Sequence, residues 1–212
     1  MGILKVDNLQ TRSGTALITD GVATTNLVST TTLKNADMEM VKLSTQGVSG
    51  ASSVEFGSSV ITTDYEQYII KCTKLIPSAT AHLYMQLAPD NNSTYDTANY
   101  YSGYGGFGSS NTTGSTGANY VSNGSQWNTG NNLLHTPTAK SKQDITIRLI
   151  NPMDSAVYTT AYSDVMKYYS DGSHYWFPLA HQHQDASAFN SFKLYMSSGT
   201  LSGRFTVYGV QV

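Results

Sequence analysis

The chain holds a single cysteine, Cys72, in 212 residues, so no intrachain disulfide can staple it. Charge is scarce too: 12% of residues are Asp, Glu, Lys or Arg, against about 25% in an average soluble protein. The net charge of -2 comes with no Lys/Arg cluster and no basic amphipathic stretch, which leaves no electrostatic footprint for nucleic acid. No apolar run is long enough to span a bilayer. "MGILKVDNLQ" carries Lys5 and Asp7 where a signal peptide needs its apolar region, and "MGILKV" lacks the Ser or Thr of a myristoylation site. The expectation is a protein without a secretory signal and without membrane insertion. Helical periodicity is missing as well. The best window, "LKNADMEMVKL", fits a strand equally well, because Met38, Met40 and Lys42 alternate with Glu39, Val41 and Leu43.

What fills the gap is Ser, Thr, Asn, 18 Gly and 15 Tyr. Aromatic and β-branched residues are too frequent for a disordered chain. They fall in short runs between turn residues, the pattern of strands. Strands are expected near Leu4–Leu9, Ala16–Thr19, Met38–Leu43, Ser53–Phe56, Gln67–Leu75, Ala81–Leu87, Ile145–Leu149, Val157–Tyr162, Phe192–Met196 and Arg204–Val210. Parity within them predicts that Phe56, Tyr68, Ile70, Cys72, Leu83, Met85, Leu87, Phe205 and Val207 face a core. The closing stretch "FKLYMSSGTLSGRFTVYGVQV" reads as two alternating runs around a Ser-Ser-Gly turn, a terminal hairpin held by sheet partners. Residues 1–36 are too short to bury a core alone and read as an attachment or oligomerisation segment. Residues 37–212 form the main domain.

Between about residues 100 and 135, Gly, Ser, Asn and Thr dominate, and long irregular loops are expected. Tyr101, Tyr104, Phe107 and Trp127 are set among them. Flat aromatic faces amid small polar groups suit sugar rings, so these four are the candidate glycan contacts; the competing reading is that they cover the sandwich or a subunit interface. "GYGGFG" lacks the flanking strand, helix and downstream acid of a dinucleotide site. Acids are scattered singly, with no paired carboxylates adjacent in sequence and no nucleophile elbow. No catalytic residues are assigned, and the chain reads as a non-enzyme.

The stretch "SSVEFGSSVITTDYEQYIIKCTKLIPSATAHLYMQLAPDNNSTYDTANYYS" carries a recognisable pattern. Phe56 ends a Ser-led strand and Asp64-Tyr65 makes a turn. Tyr68 starts the next strand, Ile76-Pro77-Ser78 turns again, and Asp90–Tyr95 closes a hairpin after Leu83–Leu87. With "NPMDSAVYT", the closing stretch and the lead-in "LKVDNLQTRSGTALIT", it resembles a domain of bacteriophage virion proteins. These are chiefly tail fibres and related appendages of marine and cyanobacterial phages. The resemblance implies an all-β, antiparallel jelly-roll-like sandwich with a short N-terminal β attachment segment. It implies a homotrimer that contacts other virion proteins, is assembled in the host cytoplasm and is located in the virion. A chain of 212 residues is short for a fibre with a repetitive shaft, so a short fibre or tip with a role in host attachment is expected. A capsid, neck or baseplate decoration remains an alternative, as does a carbohydrate-binding module that contacts host cell-surface glycan. In a trimer, His181 and His183, two apart in "LAHQHQDAS", would bring six imidazoles to an axis, enough for a transition metal. No other cofactor is expected.

Overall fold

The computed structural model describes residues 8–10, 16–19, 22–23, 40–91, 93–109, 114–133, 143–168 and 174–210. Of these, residues 8–23, 104–123, 131–133, 167–168 and 174–175 are described by backbone alone. The chain divides into two compact units, Met1–Glu39 and Met40–Val212, against the expected division after residue 36. Within the first unit, β1 (Asn8–Gln10), β2 (Ala16–Thr19) and β3 (Val22–Ala23) form a small antiparallel sheet in sequence order. Only the end of the expected Leu4–Leu9 strand lies among the described residues.

The second unit is built of β4 (Met40–Ala51), β5 (Ser53–Phe56), β6 (Gln67–Pro77), β7 (Ala81–Ala88), β8 (Tyr100–Ser109) and β9 (Gly114–Gly124). It continues with β10 (Trp127–Leu133), β11 (Gln143–Ile150), β12 (Thr159–Tyr168), β13 (His174–His183), β14 (Ser191–Met196) and β15 (Leu201–Val210). None of the described residues is helical. One sheet runs β10-β7-β14-β5 and the other β4-β15-β6-β11-β12-β13-β8-β9. Both are antiparallel. They share one apolar core, so this is an all-β sandwich.

The strand order has a simple origin. β4 pairs with β15, β5 with β14, β6 with β11 and β7 with β10. Pairing outermost with outermost makes one long antiparallel ribbon. Wrapping that ribbon sends alternate pairs to opposite sheets, β4-β15-β6-β11 on one side and β5-β14-β7-β10 on the other, which is the jelly roll. Two hairpins are added to this frame. β8–β9 is inserted between β7 and β10, and β12–β13 between β11 and β14. All four added strands extend the same sheet past β11.

All nine residues expected in the core are buried, from Phe56 to Val207. Strand β6 shows the parity most plainly, with Tyr68, Ile70 and Cys72 inward and Ile69 and Lys71 outward. Three expectations need correction. Among the described residues between 100 and 135, nearly all are strand, not irregular loop. The Gly, Ser and Asn residues there have weak strand preference of their own, and ladders to β13 and β7 hold them extended. The strand expected at Val157 starts at Thr159, leaving Val157 and Tyr158 in an exposed turn. The closing runs are not a hairpin, because β14 and β15 lie in different sheets. Their Ser197–Thr200 connection is a corner of the sandwich, docked on the β6–β7 corner: the Ser78 N–H donates to Thr200 O at 2.8 Å, and the Thr200 N–H to Ser78 Oγ at 2.7 Å. Gly199 takes φ +73° there, and a Cβ on it would meet Ser78 Oγ at 2.5 Å.

Candidate functional site

The two inserted hairpins create a surface that the ribbon alone would lack. On β12 the side chains at Thr159, Ala161 and Ser163 point inward, and those at Thr160, Tyr162 and Asp164 outward. Register then lays two rows across the outer face. Tyr162 lies beside Ala180 of β13, which lies beside Gly103 of β8; Thr160 lies beside Gln182, which lies beside Tyr101. Alanine and glycine in the centre of the first row leave a low floor. Tyr162, 53% exposed, stands at one side and half-buried Tyr101 at the other. The result is an open depression of about 290 Å³.

Beneath it the inner face is polar where a sandwich is normally apolar. His181 is 4% exposed. Its Nδ1 is 2.9 Å from Ser102 Oγ and its Nε2 is 2.8 Å from Ser163 Oγ, so one nitrogen donates and the other accepts. Burial pushes its pKa down from 6.5 to about 3, because a charged ring would be desolvated without a counter-ion. His183 is also buried, between the rings of Tyr100 at 4.5 Å and Phe189 at 4.8 Å. Its Nδ1 accepts from the Asp185 N–H at 3.3 Å, which puts the proton on Nε2. That nitrogen is 3.0 Å from Asp96 Oδ2 but out of line for a hydrogen bond. Trp127 is fully buried, with its ring 5.5 Å from Tyr100 and its indole N–H donating to Gln182 O at 3.1 Å.

These positions revise the sequence expectations. The six-imidazole metal site needs His181 and His183 on an exposed face. The two do share one side of a strand, as their spacing predicts, but that side faces the core. Both nitrogens of His181 already face serine hydroxyls. Among the described residues no group of three His, Cys, Asp or Glu is placed to hold a metal ion. Of the four candidate glycan contacts, Tyr101 borders the depression and Trp127 is removed from the surface. Tyr104 and Phe107 lie on β8 opposite Leu179 and Trp176, and their side chains lie outside the described set. Tyr162, Thr160 and Gln182 also line the depression, beyond the residues expected from sequence. The sequence signal for Thr160 and Tyr162 is the alternation of β12, whose aromatic and polar parity opposes its Ala161 and Val165; Gln182 lies on β13, between the inward His181 and His183.

A second depression, about 460 Å³, lies among Thr63, Tyr65, Glu66, Asn151, Met153 and Asp154. Its residues are engaged in their own turns: the Asn151 N–H donates to Glu66 O at 2.7 Å and the Ala156 N–H to Asp154 Oδ1 at 2.8 Å. Cys72 is wholly buried and burial pushes its thiol pKa up, so it is inert as a nucleophile. No helix among the described residues is long and apolar enough to cross a membrane. No protein-family model, no curated protein and no solved structure matches this chain.

Proposed function

We propose that this protein is a non-enzymatic structural component of a phage virion, a short fibre- or tip-type appendage that takes part in host attachment. The observation that carries the reading is the eight-strand jelly roll extended by two hairpins that present an open face. A frame locked by long-range pairing suits a part that must persist in a particle. The open face suits contact with something large rather than enclosure of a small substrate.

The chemistry of the interior supports a non-enzymatic role. Ser102 and Ser163, each within hydrogen-bond reach of His181, resemble a nucleophile with its base, yet all three residues are buried. A ring with its pKa held near 3 is a poor general base at neutral pH. A homotrimer, with contacts to other virion proteins and location in the virion, belongs to the same reading. A capsid, neck or baseplate decoration differs from it only in place. The test is immunogold labelling of purified particles of the encoding phage, with peptide mass spectrometry of the same preparation. Label at the tail end supports the appendage, and label on the head or neck replaces it with decoration. Absence of the chain from purified particles overturns the virion reading.

A further inference from the structure

We infer that the depression over Ala180 and Gly103 is a binding groove for a neutral oligosaccharide. This names the ligand class that the attachment reading leaves open, and it rests on that half of the reading.

Three features of the groove lead there. The first is its walls. Tyrosine is costly to leave on a sheet face, because its ring is apolar, yet Tyr162 is 53% exposed with Tyr101 across the floor from it. A sugar ring presents a C–H face that covers such a ring, while the phenol at its tip stays wet. The second is its polar complement. Thr160, Gln182 and the tyrosine hydroxyls place donors and acceptors around an apolar centre, and sugar hydroxyls need both kinds. The third is its charge. None of the residues lining the groove is an acid, a lysine or an arginine. At the margin, Arg148 flanks Tyr162 on β11 and Asp164 follows it on β12, one charge of each sign. An anionic glycan would find no net complement there.

The floor explains why the groove exists. Around the position a Cβ would take on Gly103, nothing lies within 4 Å, so the space is open and not filled by a neighbour. Ala180 contributes only a methyl group. A larger residue at either position would fill the groove, whereas strand stability alone favours larger, β-branched residues there. Because the groove is shallow, a ligand keeps much of its hydration and binds weakly at each site. Several copies side by side would raise the apparent affinity by avidity.

The test uses the full chain on a printed panel of neutral and anionic oligosaccharides. Titration of the best neutral hit into Tyr162→Ala, Tyr101→Ala, Ala180→Trp and Tyr158→Ala variants follows. Tyr158 is exposed but lies outside the groove, and its variant serves as the control. The expected result is retention of neutral glycans over anionic ones. Loss of affinity should be about tenfold or more in Tyr162→Ala and Tyr101→Ala, with Tyr158→Ala unchanged. Circular dichroism and melting confirm that each variant is folded. Binding confined to anionic glycans, absence of binding to any glycan, or equal affinity in Tyr162→Ala would each overturn the groove. So would a change in molecular mass of Tyr162→Ala without a change in binding, which would make the face a contact between copies. Particle labelling is independent of all these outcomes: a virion protein with no glycan affinity loses only this inference, and a glycan binder absent from particles loses only the virion reading.

Discussion

Between Ser102 and Ser163, the neutral ring of His181 couples the stability of the sandwich to pH. Its folded pKa of about 3 lies below the unfolded value of 6.5. In that window the unfolded chain binds the extra proton, so stability is full above pH 6.5 and falls as the pH drops toward 3. The slope approaches about 1.4 kcal/mol per pH unit for one such group. Urea midpoints at pH 6.5 and 4.5 should therefore differ more in the native protein than in His181→Gln, which cannot take up the proton. Equal pH dependence of the two would remove this role from His181. A second residue-scale test concerns Gly209. A Cβ there would sit 2.6 Å from carbons of the Tyr65 ring, so Gly209→Ala should cost about 1–3 kcal/mol by overpacking. A double-mutant cycle with Tyr65→Ala should recover much of that loss, because the two share one contact. The sequence shows Tyr65 in a turn and Gly209 in a strand, but their sequence separation hides the contact.

The strand β15 lies between β4 and β6, one strand in from the edge of the eight-stranded sheet. Phe205 is wholly buried on its inner face, whereas Tyr208 is half-buried on the outer face with the Lys71 ammonium 5.7 Å from its ring centre. Phe205→Ala should cost about 3–5 kcal/mol and lower the melting temperature by roughly 6–20 °C. Tyr208→Ala loses mainly a surface cation–π contact of about 0.5–1 kcal/mol. Thermal melts of the two variants check the ordering, and equal small losses would make β15 peripheral. Opposite β15, β6 bulges at Lys74, whose φ is +57° and whose N–H donates to Asp144 Oδ1 at 2.8 Å. Gly203 meets this bulge, since a Cβ on it would lie 3.1 Å from Thr73 O. Alternation located both strands; the bulge was hidden, because it is defined by which strand lies alongside.

For the whole molecule, pairing β4 with β15 joins the two ends of the second unit. That pair closes a loop of nearly the whole unit, a non-local contact whose closure entropy should make folding slow. Deleting residues 201–212 should abolish cooperative melting, because β4 and β6 lose their shared partner. Residues 40–212 alone should still melt cooperatively, because every core residue among those described lies within that unit. If the proposed homotrimer depends on the N-terminal segment, light scattering should give a trimer mass for the full chain and a lower mass for residues 40–212. A monomer mass for the full chain at micromolar concentration would count against the trimer.

The sequence by itself determined what depends on local alternation and composition: an all-β class, most of the strands and all nine expected core residues. Strand side chains alternate between two faces, and apolar residues show which face is inward. Tertiary structure alone decided what depends on neighbours. The Gly-, Ser- and Asn-rich stretches 100–109, 114–124 and 127–133 are strands because ladders to β13 and β7 and to each other satisfy their backbone groups. The two histidines turned inward because the extended sheet buries one face of β13, and serines from two flanking strands satisfy His181. The tyrosine groove arose because β8, distant in sequence, lies edge to edge with the β12–β13 hairpin. A period of two with apolar residues on one parity marks the inward face, but where both parities are polar, as at His181 and His183, only the packed second sheet decides which face meets water.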